Sequence, residues 1–184
     1  MNVLLVFASD QGQTARIMRY IGETLEEEAS AHVQILDVRD SPPSLALEAH
    51  DAVIIGASLH NWRFQDAIAD FVSYHLDALG RLPTAFVSVS LAQADPDPAR
   101  QRQLDESLEH FFQETRWRPD RIASFAGAFP ETRSPWLSRL FWRRLDRERD
   151  DFTDWDAVAR FALSFAQAMR ASNAHPPPLE FRRG

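Results

Sequence analysis

The chain has 184 residues, 45% of them hydrophobic, and a formal net charge of −7, which suits one globular domain with a real core and argues against general nucleic-acid binding. It contains no cysteine, which excludes disulfides, thiolate metal sites, iron–sulfur clusters and cysteine nucleophiles. All 20 basic residues are arginine, so the phosphate-gripping lysine of nucleoside-triphosphate loops and Schiff-base chemistry are excluded as well.

The first element, NVLLVF (2–7), is an apolar run that reads as a strand covered on both faces. It leads into a hydroxyl- and amide-rich turn, Ser9, Asp10, Gln11, Gly12, Gln13 and Thr14, with helical spacing over 13–29 behind it. Backbone N–H groups and the Ser9 and Thr14 hydroxyls gathered at a helix N-terminus suit a phosphate. No cation lies among residues 8–15, so the anion would be held by neutral donors. The same turn is also a common way to join a strand to a helix without binding anything.

Two more strands are predicted at AHVQILDV (31–38) and DAVIIGAS (51–58). The loop after the second of these reads Ser58, Leu59, His60, Asn61, Trp62, Arg63, Phe64. It offers an aromatic able to stack on a ring system, polar groups for the ring's edge, and a cation. Trp62 and Phe64 could equally close the edge of the core, and His60 is either a proton relay or a solvated loop histidine. A helix follows over 64–79, with Phe64, Ile68, Phe71, Val72 and Leu76 in one stripe.

The fourth strand, PTAFVSVS (83–90), opens into Ser88, Val89, Ser90, Leu91 and Ala92, small enough for backbone to approach a ligand, and then into an acidic turn at Asp95 and Asp97. A helix over 99–115 carries Leu104, Leu108, Phe111 and Phe112, and RIASFAGA (121–128) reads as the fifth strand. Residues 134–149, SPWLSRLFWRRLDRER, form an amphipathic helix inserted after it. Its broad apolar face and arginines suit either an anionic lipid surface or ordinary packing with a solvated basic face. A last helix spans about 153–170 with Thr153 as N-cap, and the proline-bearing residues 171–184 are expected to be disordered.

Alternating strands and helices imply parallel strands joined by right-handed crossovers. The fold class is therefore α/β, a doubly wound five-stranded parallel sheet in the order 2-1-3-4-5, with one domain over residues 1–170 and an insertion at about 130–150. Ligands in such sheets bind beyond the carboxyl ends of the strands, where the order reverses between the first and third. The histidines show no metal-ligand spacing, and neither a G-x-S-x-G elbow nor a paired-carboxylate motif is present. Chemistry carried by a borrowed cofactor fits best. No apolar run reaches the ~20 residues needed to cross a bilayer, and MNVLLVFASDQG has no basic leader, so the expected location is the cytoplasm.

Six separated stretches carry a resemblance: VFASDQGQT (6–14), VIIGASLHNWRFQDAIADFV (53–72), LPTAFVSVSLA (82–92), RWRPDR (116–121), FAGAFP (125–130) and FTDWDAVARFA (152–162). Together they resemble the menaquinone-dependent protoporphyrinogen IX dehydrogenases, flavodoxin-like enzymes of heme synthesis, and the first turn is similar to the T-x-T-G-x-T phosphate loop of flavodoxins. The resemblance implies an FMN-bound oxidoreductase that takes hydrogen from a porphyrinogen and passes electrons to a quinone, menaquinone or ubiquinone. It places the phosphate at Ser9–Thr14 and the flavin ring between residues 58–63 and 88–92, and it makes residues 134–149 a peripheral contact on the inner face of the cell membrane. Two other readings share the scaffold: a quinone reductase or electron carrier with another substrate, and a flavin-free binding domain.

The chain departs from the family after the fourth strand, where AQADPDPAR stands in place of a basic stretch. Asp95 and Asp97 would repel a porphyrinogen's two propionates, with Arg63, Arg100 and the arginines of 133–149 as the candidate counter-charges.

Overall fold

In a computed structural model, which describes residues 1–10, 12–40, 45–127 and 151–174, strands and helices alternate along the chain. The strands are β1 (Asn2–Phe7), β2 (His32–Asp37), β3 (Ala52–His60), β4 (Arg63–Phe64), β5 (Thr84–Ser90) and β6 (Arg121–Ala126). Five are parallel, in the order β2-β1-β3-β5-β6, which is the expected 2-1-3-4-5 arrangement. The sixth, β4, replaces predicted loop and helix: it folds back antiparallel on β3, pairing Leu59 with Phe64 and His60 with Arg63. Phe64 is thereby taken out of the helical stripe, although it stays buried.

The helices are α1 (Gln13–Ala29), α2 (Asp66–Tyr74), α3 (Leu76–Leu79), α4 (Pro98–Thr115) and α5 (Trp155–Ala174). The single helix expected over 64–79 thus starts later and breaks at His75. α5 continues through residues 171–174, where the composition predicts a disordered tail. The arginine-rich stretch 134–149, the rest of the insertion, and residues beyond 174 lie outside the described residues.

Side-chain alternation along β1 divides the core into two layers. Val3, Leu5 and Phe7 join Ile17, Met18 and Ile21 of α1 and Val158 and Phe165 of α5 on one face. Leu4 and Val6 join Ile68 of α2 and Phe111 and Phe112 of α4 on the other. α1 lies so close to the sheet that a Cβ at Gly56 would come within 2.6 Å of Met18 Sδ, so a larger residue there would have to displace the Met18 side chain.

Two of the six stretches, RWRPDR (116–121) and the TDW (153–155) of FTDWDAVARFA, tie helices and connections to the sheet. Trp117 of RWRPDR is buried edge-on against Phe86 and Phe112, and Asp120 Oδ2 accepts a hydrogen bond from Thr84 N (2.8 Å) at the start of β5. In TDW, Thr153 does not cap α5. Its hydroxyl donates to Ala126 O (2.9 Å) and accepts from Gln13 Nε2 (2.8 Å), while Asp154 Oδ1 takes the capping bond from Ala157 N (2.9 Å). The end of β6 and the head of α1 have claimed the hydroxyl, so the next residue supplies the cap. Among the described residues, no helix is long and apolar enough to cross a membrane.

Candidate functional site

α1, which follows β1, packs on one face of the sheet, and α2, which follows β3, packs on the other. The chain therefore diverges between the carboxyl ends of two neighbouring strands, leaving a crevice between them. A cavity of about 360 Å³ opens there, within the range of small-molecule and cofactor sites.

Three predicted loops meet around it. The first contributes Ser9, Gln13 and Thr14; the second Ser58, Leu59, His60, Asn61 and Trp62; the third Val89, Ser90, Leu91 and Ala92. Arg100 of α4 and Gly127 complete the lining. Asp10, Gly12, Arg63 and Ser88 do not line it, and Gln11 lies outside the described residues. Arg63 is exposed on the hairpin's return strand, so the cation at the cavity comes from α4 and not from the loop that carries Trp62.

Gly12 begins α1 with φ +86°, a left-handed conformation open to glycine and costly for most residues. Its N–H donates to Ser9 Oγ (3.0 Å), folding the turn tightly onto the strand end. As N-cap, Gly12 brings no side-chain acceptor. The first-turn N–H groups have no acceptor within the helix and none from the cap side chain. A cation does stand behind this turn, brought from the end of β2. Arg39 Nη2 donates to Ser9 O (3.1 Å), while its side chain also hydrogen-bonds Asp37 and holds that carboxyl below its ordinary pKa.

The second loop is a two-residue turn with both residues left-handed, Asn61 at φ 49° and Trp62 at φ 62°. Such turns match the twist of a hairpin but favour Asn and Gly, and a tryptophan there is an outlier. The strain fixes a half-buried indole at the cavity, with the Arg100 guanidinium carbon 5.9 Å from its ring centroid.

Gln65 is a residue the motifs did not mark. Its Oε1 accepts from Ser58 N (3.1 Å), and its Nε2 reaches Ala8 O (3.4 Å) and Ser58 Oγ, tying the ends of β1 and β3 together beside the cavity. A single amide after an apolar residue carries no sequence signal for this, since its role depends on strands far apart in the chain.

The acidic turn is internally compensated. Asp97 Oδ1 caps α4 through Ala99 N (2.9 Å), Asp95 Oδ1 accepts from Asp97 N (3.0 Å), and Asp95 Oδ2 lies 3.3 Å from Arg100 Nε. Gln101 Nε2 donates to Ala92 O (3.0 Å) and Asp95 O (2.7 Å), holding the loop against the helix.

Behind the first loop, Gln13 Nε2 and Arg16 Nη1 reach Asp151 (3.3 and 2.7 Å), and Arg16 lies over the Trp155 ring at 4.6 Å. Burial pushes the Asp151 carboxyl up, but the hydrogen bond from Thr153 N (3.0 Å) together with the Arg16 charge outweighs it and holds it below the usual range.

The donor set suits a flavin mononucleotide. Ser90, a residue of the lining, carries a buried hydroxyl without a hydrogen-bond partner, α1 begins without a side-chain cap, and an aromatic plane flanks the space.

Residues 4–156 match the flavodoxin domain family. Oxidised flavodoxin 1 of Bacillus cereus superposes with a TM-score of 0.57 at 20% identity, covering 91% of this chain and 98% of that one. An archaeal flavodoxin gives 0.55 at 15% identity, covering 92% and 99%. The chain belongs to the flavodoxin-domain family. Within it, the chain is 32% identical over 176 residues to the protoporphyrinogen IX dehydrogenase (quinone) of Escherichia coli K12, covering 90% of this chain and 95% of that protein. The enzyme of the same name from Leishmania major is 28% identical over 179 residues, covering 89% and 74%.

Proposed function

We propose that this chain is an FMN-dependent oxidoreductase that converts protoporphyrinogen IX to protoporphyrin IX, a six-electron oxidation whose three hydrogen pairs pass in turn to three quinones, each leaving as a quinol. The observation that carries the reading is the coincidence of two facts. The three loops at the strand-order reversal meet in one cavity with uncapped and orphaned donors, and relatives matching nearly the whole chain bear that activity in their names.

FMN, when bound, supplies the two-electron redox chemistry that no side chain here provides. Ser9, Gln13, Thr14 and the N–H groups of α1 hold the phosphate with neutral donors. Trp62 and the backbone of Val89–Ala92 would flank the ring. Gln65 keeps Ser58 and Ala8 in register beneath it. The basic, aromatic residues 134–149 form a peripheral contact with anionic lipid on the membrane's inner face, where a menaquinone or ubiquinone is dissolved.

Anaerobic addition of protoporphyrinogen IX to the yellow holoprotein, with menaquinone supplied in vesicles, should produce porphyrin fluorescence. Turnover should be faster with anionic than with neutral vesicles. A flavin that stays oxidised in the porphyrinogen, yet cycles between another reductant and quinone, would replace this reading with that of a quinone reductase. Equal rates on both vesicle types would remove the lipid contact.

A further inference from the structure

The acidic turn after β5 looks hostile to a substrate bearing two carboxylates, yet the structure offsets part of that hostility locally. Asp97 is committed to the N-terminus of α4 and Asp95 faces Arg100. Arg100 sits on the first turn of α4, two residues beyond Pro98. Its guanidinium lies beside Trp62 and lines the cavity, and its side chain is 54% exposed, within reach of a ligand arriving from solvent. Among the described residues that line the cavity, no other is an arginine. The contact to Asp95 runs through Nε at 3.3 Å, whereas a guanidinium carries five N–H donors. The pair already shows a carboxylate seated at this group, with donors left over for a second.

We infer that Arg100 is the specificity-determining residue of the site: it takes one propionate of the porphyrinogen at the cavity mouth, and Asp95 is the internal carboxylate that holds the guanidinium in place and competes with the substrate for it. The inference rests on the proposed function and names how that substrate is recognised. Trp62 restricts the guanidinium from one side and Asp95 from another, so the arginine is aimed before substrate arrives.

The test compares the diacid with its dimethyl ester, which has the same ring and no charge. On the holoprotein, protoporphyrin IX binding is titrated by fluorescence and KM is measured for protoporphyrinogen IX and its dimethyl ester. Arg100→Gln should weaken diacid binding and raise its KM by about tenfold, the scale of one charge-assisted contact, with the ester little affected and Arg100→Lys in between. Asp95→Asn should tighten diacid binding by about threefold by freeing the guanidinium, again without moving the ester. This second variant tests the idea even if the first folds poorly.

Equal changes for diacid and ester in either variant, or no change for the diacid, would overturn the assignment while leaving the proposed function standing. A wild-type holoprotein that leaves both porphyrinogens unoxidised overturns that function and the assignment with it.

Discussion

Trp62 shows how one residue can carry a local penalty for the sake of a site. Its φ of 62° is forced by the two-residue return from β3 to β4, and a left-handed conformation costs a side-chain-bearing residue about 1–2 kcal/mol. Replacing it by alanine removes the indole but keeps the penalty; replacing it by glycine removes both. The usual order, in which alanine stabilises a folded chain relative to glycine, should therefore invert: Trp62→Gly is expected to be more stable than Trp62→Ala by about 1 kcal/mol in urea unfolding. An alanine variant as stable as the glycine one would show that the turn relaxes. The sequence marks the indole as an aromatic in a polar loop, which is enough to make Trp62 a candidate. It does not reveal the strain, because no Asn-Gly pair announces the turn. Nor could it single out Gln65 or the pairing of Arg39 with Ser9, since both depend on which strands become neighbours.

At the scale of elements, the approach to α5 is fastened to the head of α1. Thr153 joins Gln13 to the end of β6, Asp151 takes Gln13 and Arg16, and Trp155 lies beneath Arg16 and edge-on to Tyr20. This fastening reaches the turn that lines the cavity, so the TDW signature supports the site from behind. The Asp151 carboxyl has a folded pKa below its unfolded value of about 3.9. A depressed carboxylate contributes stability that is fully present above the unfolded value and is lost as pH falls through the folded one. Asp151→Asn should cost about 1–2 kcal/mol from pH 7 down to about 5, the scale of hydrogen bonds to a charged group. The gap to wild type should narrow below about pH 4. Urea midpoints across that range check it, and a gap indifferent to acid would mean that the charge does not matter. The periodic apolar pattern made α1, α4 and the five long strands readable nearly to the residue. β4, the break at His75 and the displaced cap were not readable, because each is decided by a tertiary partner that overrides local preference.

At the scale of the whole molecule, both core layers converge on one crevice. The strand-order reversal places the loops after β1, β3 and β5 around it, and because that reversal follows from alternating strands and helices, the site's location could be read before its contents. A ligand held by all three loops bridges the layer containing α1 and α5 and the layer containing α2 and α4, so its binding energy opposes global unfolding and not only loop motion. With FMN at 100 times its dissociation constant, linkage adds about 2.7 kcal/mol. For a chain of this size that raises the melting temperature by about 5–10 °C. Riboflavin has the same ring but no phosphate for the head of α1, so at equal concentration it should produce only a small part of this shift. Calorimetry of the flavin-stripped protein with each ligand separates the contributions of ring and phosphate. If riboflavin stabilises as strongly as FMN, the turn from Ser9 to Thr14 is not where the cofactor is gripped, and the ring-flanking loops must hold it alone.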